Sequence, residues 1–259
     1  MELDDAYANG AHIPDGDRFA EIWRDKAAAF RAVVPGRLDQ PYGDGARAVY
    51  DLFVPDGEAR GTVIFVHGGY WRSTDKSLWT HLAAGPLARG WRMALVEYDL
   101  CPDVTIAQIT RQVAQAVGAI AERFGGPLRL TGHSAGGHLV ARMLDPEVAG
   151  AWLHRIEKVV PISPLSDLEP FLRTSMNADF KLDAAAARAE SPVHQPKPDA
   201  EVVVWVGGAE RPAFLDQARW LGEAWGCRVV IREGRHHFDI IAGLEQAGSA
   251  LTEAVVGPR

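Results

Sequence analysis

The chain has 259 residues, of which 47% are hydrophobic and 24% charged, and its formal net charge at pH 7 is -7. This composition is typical of a folded globular protein and excludes an intrinsically disordered chain. The acidic balance and the lack of lysine or arginine blocks argue against nucleic acid or an anionic membrane as a partner, so we expect a small-molecule ligand.

The first residues, MELDDAYANGAHIPDG, are acidic and contain no continuous apolar stretch, so no secretory signal is predicted. No run of about 18 apolar residues follows, so no membrane span is predicted. Cys101 and Cys227 are far apart and in no CxxC arrangement, which fits a reducing compartment. We expect a cytoplasmic protein, and the sequence leaves open whether it forms a homodimer.

The predicted elements alternate between helices and strands along the chain. DRFAEIWRDKAAAFRA (17–32) predicts an outer helix within an N-terminal helical extension (1–45). TIAQITRQVAQAVGAIAERFGG (105–126) and PAFLDQARWLGEAWG (212–226) have apolar residues every three or four positions, which predicts two further helices. Apolar, β-branched runs predict strands. They are ARAVYDLFVP (46–55), GTVIFVHGG (61–69), WRMALVEYDL (91–100), PLRLTGHS (127–134), KVVPISP (158–164), EVVVWVGG (201–208) and CRVVIREG (227–234).

This alternation predicts an α/β fold with a mostly parallel central sheet and helices on both faces. The segment 163–198 lacks clear strand character, contains short helix-like stretches and ends in a proline-rich return. We therefore expect a small helical cap there, inserted into a single domain that spans residues 1–259.

The strongest local motif is Gly132-His133-Ser134-Ala135-Gly136, between a predicted strand and a predicted helix. This is the G-x-S-x-G pattern of a nucleophile elbow, in which glycines are needed because side chains at their positions would collide. We predict that Ser134 is a nucleophile exposed at the start of the following helix.

A second motif, VIFVHGGYW, ends an earlier predicted strand. Acyl transfer puts negative charge on the former carbonyl oxygen, which backbone N–H groups can stabilise. Glycines let the chain turn so that its N–H groups face the site, so Gly68, Gly69 and Ala135 are the predicted oxyanion donors. The alternative is a plain turn. His67 is expected to brace the loop, and the histidine spacings predict no metal site.

The motifs HGGYW, GHSAGGHL, GGAERPAF and HHFDII together resemble the α/β-hydrolase superfamily, and within it the kynurenine formamidase (arylformamidase)-like, esterase/lipase-like branch. The resemblance covers most of the chain. It implies an α/β-hydrolase fold, a serine hydrolase that needs no cofactor, and the chain order serine, acid, histidine for the catalytic triad.

The acid and the base are each a choice between two residues. Glu210 follows the strand EVVVWVGG where the superfamily usually has Asp, while Asp216 lies further along in a predicted helix. We favour Glu210, because a residue at the mouth of a strand is better placed. Of His236 and His237, the resemblance implies that His237, in His-Phe-Asp, is the base.

An aryl formamide such as N-formyl-L-kynurenine is the substrate that the resemblance implies. A general carboxylesterase and a non-catalytic binding protein are the two alternatives. A formamidase needs little room for the acyl group and an aromatic pocket for the amine. The candidates for that aromatic wall, each of which could instead belong to the core, are Tyr70, Trp71, Phe171, Phe214 and Phe238.

Overall fold

The structure is a computed structural model that describes residues 1–258. Arg259, at the end of the predicted domain, lies outside the described residues. The strands are β1 (Gly36–Pro41), β2 (Val49–Phe53), β3 (Thr62–Val66), β4 (Arg92–Val96), β5 (Leu128–His133), β6 (Ile156–Ile162), β7 (Glu201–Gly207) and β8 (Arg228–Arg232). The α-helices are α1 (Phe19–Val33), α2 (Ala84–Ala88), α3 (Ile106–Arg123), α4 (Ala135–Arg142), α5 (Asn177–Phe180), α6 (Ala184–Glu190), α7 (Pro212–Trp225) and α8 (Ala250–Val256).

The eight strands form one sheet in the order β1-β2-β4-β3-β5-β6-β7-β8. The pairs β1–β2 and β2–β4 are antiparallel, and all other neighbouring pairs are parallel. The mostly parallel sheet predicted from the sequence is thereby confirmed.

Two apolar clusters lie on opposite faces of the sheet. Along β3, Ile64 and Val66 pack in one cluster with α3 and α7, whereas Val63 and Phe65 pack in the other with α8. A strand buried on both faces reads as a continuous apolar run, which is why TVIFV was recognisable as a central strand. As predicted, helices cover both faces of the sheet, and their apolar side chains complete the two clusters.

Helix α3 shows how local sequence specifies an element. Thr105 caps the start of the helix and forms a capping box with Gln108. Each of the two side chains accepts a hydrogen bond from the backbone N–H of the other residue. Its predicted apolar stripe is buried along its whole length. The members of the stripe are Ile106, Ile109, Val113, Val117 and Ile120.

The N-terminal region differs from the prediction in one respect. The predicted outer helix is α1, but the range 1–45 also contains β1, an edge strand whose residues are almost all exposed. Its sequence GRLDQP has no alternating apolar pattern because neither face of this strand is covered, so no strand was predicted.

The segment 163–198 contains α5, α6 and two short 3₁₀ helices at Glu169–Arg173 and Pro192–His194. Its Phe171 and Phe180 pack edge-on against Trp71, with ring centroids 5.8 and 5.4 Å away. A cap role for this segment stays a prediction. Within residues 1–258, none of the helices combines the length and the apolar character needed to cross a membrane.

The loops that follow β3, β5, β7 and β8 all leave the sheet at its carboxyl edge, because β3, β5, β6, β7 and β8 run parallel to one another. The two glycine motifs, Glu210 and the two adjacent histidines lie in these loops. Ligands of open α/β sheets bind at this edge.

Candidate active site

Ser134 stands in a sharp turn between β5 and α4. Its φ and ψ of 57° and -117° lie outside the regions that L-residues usually adopt. The serine is 2% exposed and lines a cavity, whereas the sequence predicted an exposed serine. A Cβ atom at Gly132 would lie 2.3 Å from the Gly136 oxygen, and one at Gly136 would lie 2.0 Å from the Val66 oxygen. The glycines of the motif are therefore sterically required, as the sequence predicted, and they bring the serine to the start of a helix.

The Gly68–Gly69 loop packs directly against this turn. A Cβ atom at Gly68 would lie 3.1 Å from the Ser134 Cβ, so the two segments touch. Gly69 has a φ of +106°, and a Cβ there would meet the Ser73 oxygen at 2.2 Å. Among the hydrogen bonds of residues 1–258, none uses the backbone N–H of Gly69 or Ala135. An oxyanion hole requires N–H donors that are not already paired, so both groups stay candidates for that role.

A buried polar network holds the same loop from behind. The His67 ring stacks on Tyr98 at 4.2 Å, and its nitrogens lie 2.8 Å from the Gly68 oxygen and 3.1 Å from Glu97 Oε1. Thr74 Oγ1 donates to the Gly68 oxygen at 2.8 Å. Burial raises the pKa of Glu97, but its hydrogen bonds and charge interactions outweigh burial and lower this pKa. The largest of these interactions are with His67, and the Lys76 N–H and Arg47 add to them. The predicted bracing role of His67 matches these contacts.

Glu210 and His237 form a buried pair at the end of β7 and the last loop. Glu210 Oε2 lies 2.6 Å from His237 Nδ1, and the exposed fractions of the two side chains are 0% and 4%. The other carboxylate oxygen accepts from Ser163 Oγ at 2.5 Å and from the Gly207 N–H at 2.7 Å. A carboxylate with all of these donors is fixed in place and can orient the imidazole.

The competing candidates lie elsewhere. Asp216 is on the exposed side of α7, 3.4 Å from Arg219, with 49% of its side chain exposed. His236 Nδ1 accepts the N–H groups of Phe238 and Asp239 at 3.2 and 3.3 Å, so this side chain closes the turn in which it stands. His237 lies in the turn that leads into the 3₁₀ helix Ile240–Glu245. The structure thus joins Glu210 to His237 and leaves Asp216 and His236 out of that pair.

Ser134 and His237 line one cavity of about 460 Å³. No hydrogen bond joins the Ser134 hydroxyl to the His237 ring among the contacts of residues 1–258. Serine–histidine contacts are often long in ligand-free enzymes and shorten when substrate binds. The cavity contains the serine, the histidine and the Gly68–Gly69 loop, which is the set of groups that acyl transfer requires.

The aromatic residues predicted for the cavity wall divide into two groups. Tyr70 and Phe238 line the cavity. Trp71, Phe171 and Phe214 instead lie in the apolar core, each fully buried. Their segments do converge near the site, but Trp71 turns toward His138, to which its indole N–H donates at 3.2 Å, and Phe214 packs behind His237 at 4.3 Å.

The structure adds lining residues that sequence reasoning missed. The rings of Trp23 of α1 and Trp79 pack at a tilt with centroids 4.5 Å apart, and the Phe238 ring lies 5.3 Å from that of Trp23. The N-terminal residues Tyr7 and Asn9 form another part of the wall. Their positions far from the motifs in sequence give no local signal, and the sequence predicts α1 only as an outer helix.

His133 directly precedes Ser134, and the motif by itself predicts no role for this side chain. Its Nε2 donates to the main-chain oxygen of His237 at 2.8 Å, and the two rings lie 4.6 Å apart. Burial and the neighbouring His237 hold the pKa of His133 well below its usual value of 6.5. His133 is therefore neutral at physiological pH.

One group of side chains has ligand atoms close enough to share a cation. Atoms of Asp167, Glu169 and His194 lie within 4.8 Å of one another, outside the cavity. Arg188 and His194 already approach the Glu169 carboxylate at 3.9 and 3.6 Å. The group is explained by these surface ion pairs.

No protein-family model matches the chain. A kynurenine formamidase from Salmo salar is 29% identical over 253 residues, which cover 87% of this chain and 83% of that protein. A crystal structure from Silicibacter sp. TM1040, described provisionally as a thioesterase, is 55% identical and has a TM-score of 0.97, with 98% of this chain and 99% of that chain covered. Esterase B from Lactobacillus rhamnosis is 16% identical, with a TM-score of 0.67 and coverage of 91% and 90%. These structural similarities confirm the fold predicted from the sequence.

Proposed function

We propose that the chain belongs to the α/β-hydrolase superfamily and to its kynurenine formamidase-like, esterase/lipase-like branch. From this premise, the proposed function is that of a serine hydrolase which removes the formyl group from aryl formamides. N-formyl-L-kynurenine, an intermediate of tryptophan breakdown, is the proposed substrate. A cytoplasmic location and a possible homodimer stay predictions from the sequence. The observation that carries the proposal is the cavity that Ser134 and His237 share, with Glu210 hydrogen-bonded behind the histidine.

In the proposed reaction, the Ser134 hydroxyl attacks the formyl carbon while His237 Nε2 accepts the hydroxyl proton. Glu210 stabilises the imidazolium that forms and keeps Nδ1 protonated, since it accepts from that nitrogen at 2.6 Å. The histidine then gives its proton to the leaving amine nitrogen. Water, deprotonated by the same histidine, attacks the formyl-serine ester and releases formate.

The tetrahedral intermediate carries a negative oxygen that must be stabilised. The backbone N–H groups of Gly68, Gly69 and Ala135 are the proposed donors, and losing one such donor typically costs about 3 kcal/mol of barrier lowering. The network of His67, Glu97 and Thr74 behind the loop supports this role, because an oxyanion hole works by being held in place before the reaction.

The cavity wall supports an aryl substrate. Trp23, Trp79 and Phe238 form an aromatic cluster on one part of the lining, and aromatic rings pair favourably with an aryl group. Arg72 and Asp4 also belong to the lining and give it one positive and one negative side chain. Arg72 is already paired with Asp179 and Asp4 with the amino group of Met1, so these two charges do not by themselves favour a particular substrate.

The first test measures kcat/KM for N-formylkynurenine and for p-nitrophenyl acetate with the same preparation. We expect the formamide to be the better substrate, and a value orders of magnitude below that of the ester would contradict the formamidase. Ser134→Ala should abolish both activities and labelling by a fluorophosphonate. Ser249→Ala, which changes a serine that caps α8 far from the cavity, is the matched control and should keep both.

A general carboxylesterase is the second candidate function. The similarity to proteins described as an esterase and, provisionally, as a thioesterase favours it. A short acyl thioester therefore belongs in the same substrate comparison. The third candidate, a binding protein, requires that wild-type protein not react with the fluorophosphonate.

A further inference from the structure

His133 connects the serine turn to the loop of the histidine base. Its Nε2 lies 2.8 Å from the main-chain oxygen of His237. A carbonyl oxygen can only accept, so Nε2 carries the hydrogen and donates it. His133 and Ser134 are neighbours in one turn. The His133 side chain holds the main chain of His237, and the Ser134 side chain lies in the same cavity as the His237 ring.

We propose that His133 is a positioning residue that sets the place of the base His237 relative to the nucleophile Ser134. The inference rests on the proposed serine mechanism and deepens it. His133 also lines the cavity, but the role proposed here is exerted through the backbone of His237 and not through the substrate or the transferred proton.

The two anchors on His237 are complementary. Glu210 holds the ring at Nδ1, and His133 holds the main-chain oxygen. One contact restrains the ring and the other restrains the main chain, and both therefore limit the directions in which Nε2 can point. No other hydrogen bond within residues 1–258 is made to the His237 oxygen. The His133 contact is thus the hydrogen bond that ties the main-chain oxygen of residue 237 to the end of β5.

The chemistry of His133 suits a neighbour that becomes charged. Its ring centroid lies 4.6 Å from that of His237, which turns into an imidazolium during the reaction. A charged group at that distance would oppose this step. Burial and the proximity of His237 keep the pKa of His133 well below 6.5, so the ring stays neutral and still donates its hydrogen bond.

The test compares His133→Gln and His133→Leu with wild type. The glutamine amide nitrogen reaches about as far as imidazole Nε2 and can donate to the same oxygen, whereas leucine cannot. His138→Leu is the matched control. His138 is also buried on the elbow helix and its Nε2 also meets a backbone oxygen, at 2.7 Å, but that oxygen belongs to Glu190 of α6.

We measure kcat, KM, the melting temperature and the second-order rate of Ser134 phosphonylation by a fluorophosphonate. His133→Leu should lower kcat and phosphonylation about 100-fold with KM changed less than about threefold, the effect of misplacing a catalytic group by about 1 Å. His133→Gln should recover to within about tenfold of wild type. His138→Leu should lower the melting temperature without a comparable loss of rate.

Two outcomes would overturn the inference. In the first, His133→Leu reacts as fast as wild type. In the second, His133→Gln is as slow as His133→Leu, which assigns His133 to packing alone. If the leucine variant does not fold, His133→Asn replaces it, because the shorter amide cannot reach the carbonyl. Failure of the proposed function is visible separately, in wild-type protein: absence of phosphonylation refutes the serine mechanism, while phosphonylation without formamide hydrolysis refutes only the substrate.

Discussion

Replacing Glu210 with glutamine should lower kcat by three to four orders of magnitude, with little change in KM. Glu210 accepts from three donors in the structure, which are the His237 ring, the Ser163 hydroxyl and the Gly207 N–H. Glutamine has the same shape but only one oxygen. Its NH₂ group must face either the Nδ1–H of His237 or the other two donors, so one contact becomes repulsive and the histidine loses its orientation.

The magnitude follows from two contributions. The first is the lost attraction between carboxylate and imidazolium. With charge centres about 4 Å apart and an effective dielectric constant of about 20, this attraction is about 4 kcal/mol. Because about 1.4 kcal/mol corresponds to a factor of ten, the loss is about 10³ in rate. The second is the wrong histidine tautomer, and with it an acid-to-amide change in a Ser-His-Asp triad reaches about 10⁴.

The assay is steady-state hydrolysis of N-formylkynurenine and p-nitrophenyl acetate, together with a melting curve that shows whether the variant is folded. Asp216→Asn is the matched control, since it makes the same chemical change in the competing acid. Asp216 is about half exposed and paired only with Arg219, so we expect a change within about twofold. A loss of less than tenfold in Glu210→Gln, or an equal loss in Asp216→Asn, would refute the assignment of the acid.

Three further predictions concern the base, acid stability and the N-terminus. His237→Ala should lower kcat by several orders of magnitude and His236→Ala by about tenfold or less, because His236 closes a turn and packs edge-on against Phe19 outside the Glu210–His237 pair. The reverse ranking in steady-state rates would show that the wrong neighbour was chosen. Burial holds the pKa of His138 at about 4 in the folded protein, against an ordinary 6.5. The contribution of neutral His138 to the free energy of unfolding is therefore fully present above pH 6.5. About 3 kcal/mol of this free energy is lost as the pH falls from about 6.5 to about 4. Urea titrations over this range should show a shallower pH dependence for His138→Gln than for wild type, and equal slopes would contradict the argument. Deletion of residues 1–12 should raise KM for aryl substrates about tenfold, measured against wild type in the same assay.

The sequence predicts elements well where burial imposes a period. Strand β3 is apolar throughout because both of its faces are covered, and α3 has one apolar stripe because one face is covered. Strand β1 has neither pattern, since it lies exposed at the edge of the sheet. Pairing with β2 holds it in place, and that contact between different segments leaves no mark in GRLDQP.

The candidate site also has parts that local sequence predicts and parts that only tertiary packing determines. The glycines at 132, 136 and 69 are imposed by local geometry, so their motifs predict the serine turn and the adjacent loop directly. The cavity wall depends on which way each aromatic side chain turns. Trp71 follows Tyr70 in the chain, yet Tyr70 lines the cavity and Trp71 is buried in the core. Only tertiary packing distinguishes the two. Trp23 lies in α1, a helix that contains none of the sequence motifs.

The N-terminal segment, residues 1–12, is a part of the cavity wall whose effect on KM can be measured. Tyr7 closes one wall of the cavity and covers the rings of Phe171 and Phe214, whose centroids lie 4.6 and 5.8 Å from its own. Removing residues 1–12 uncovers that wall, and a substrate that then buries about 50 Å² less apolar surface loses about 1.3 kcal/mol of binding, or about tenfold. Deletion of residues 1–3 keeps every lining residue and should leave KM within about twofold of wild type. Unchanged KM after the longer deletion would mean that substrate binds elsewhere in the cavity, away from the N-terminal segment.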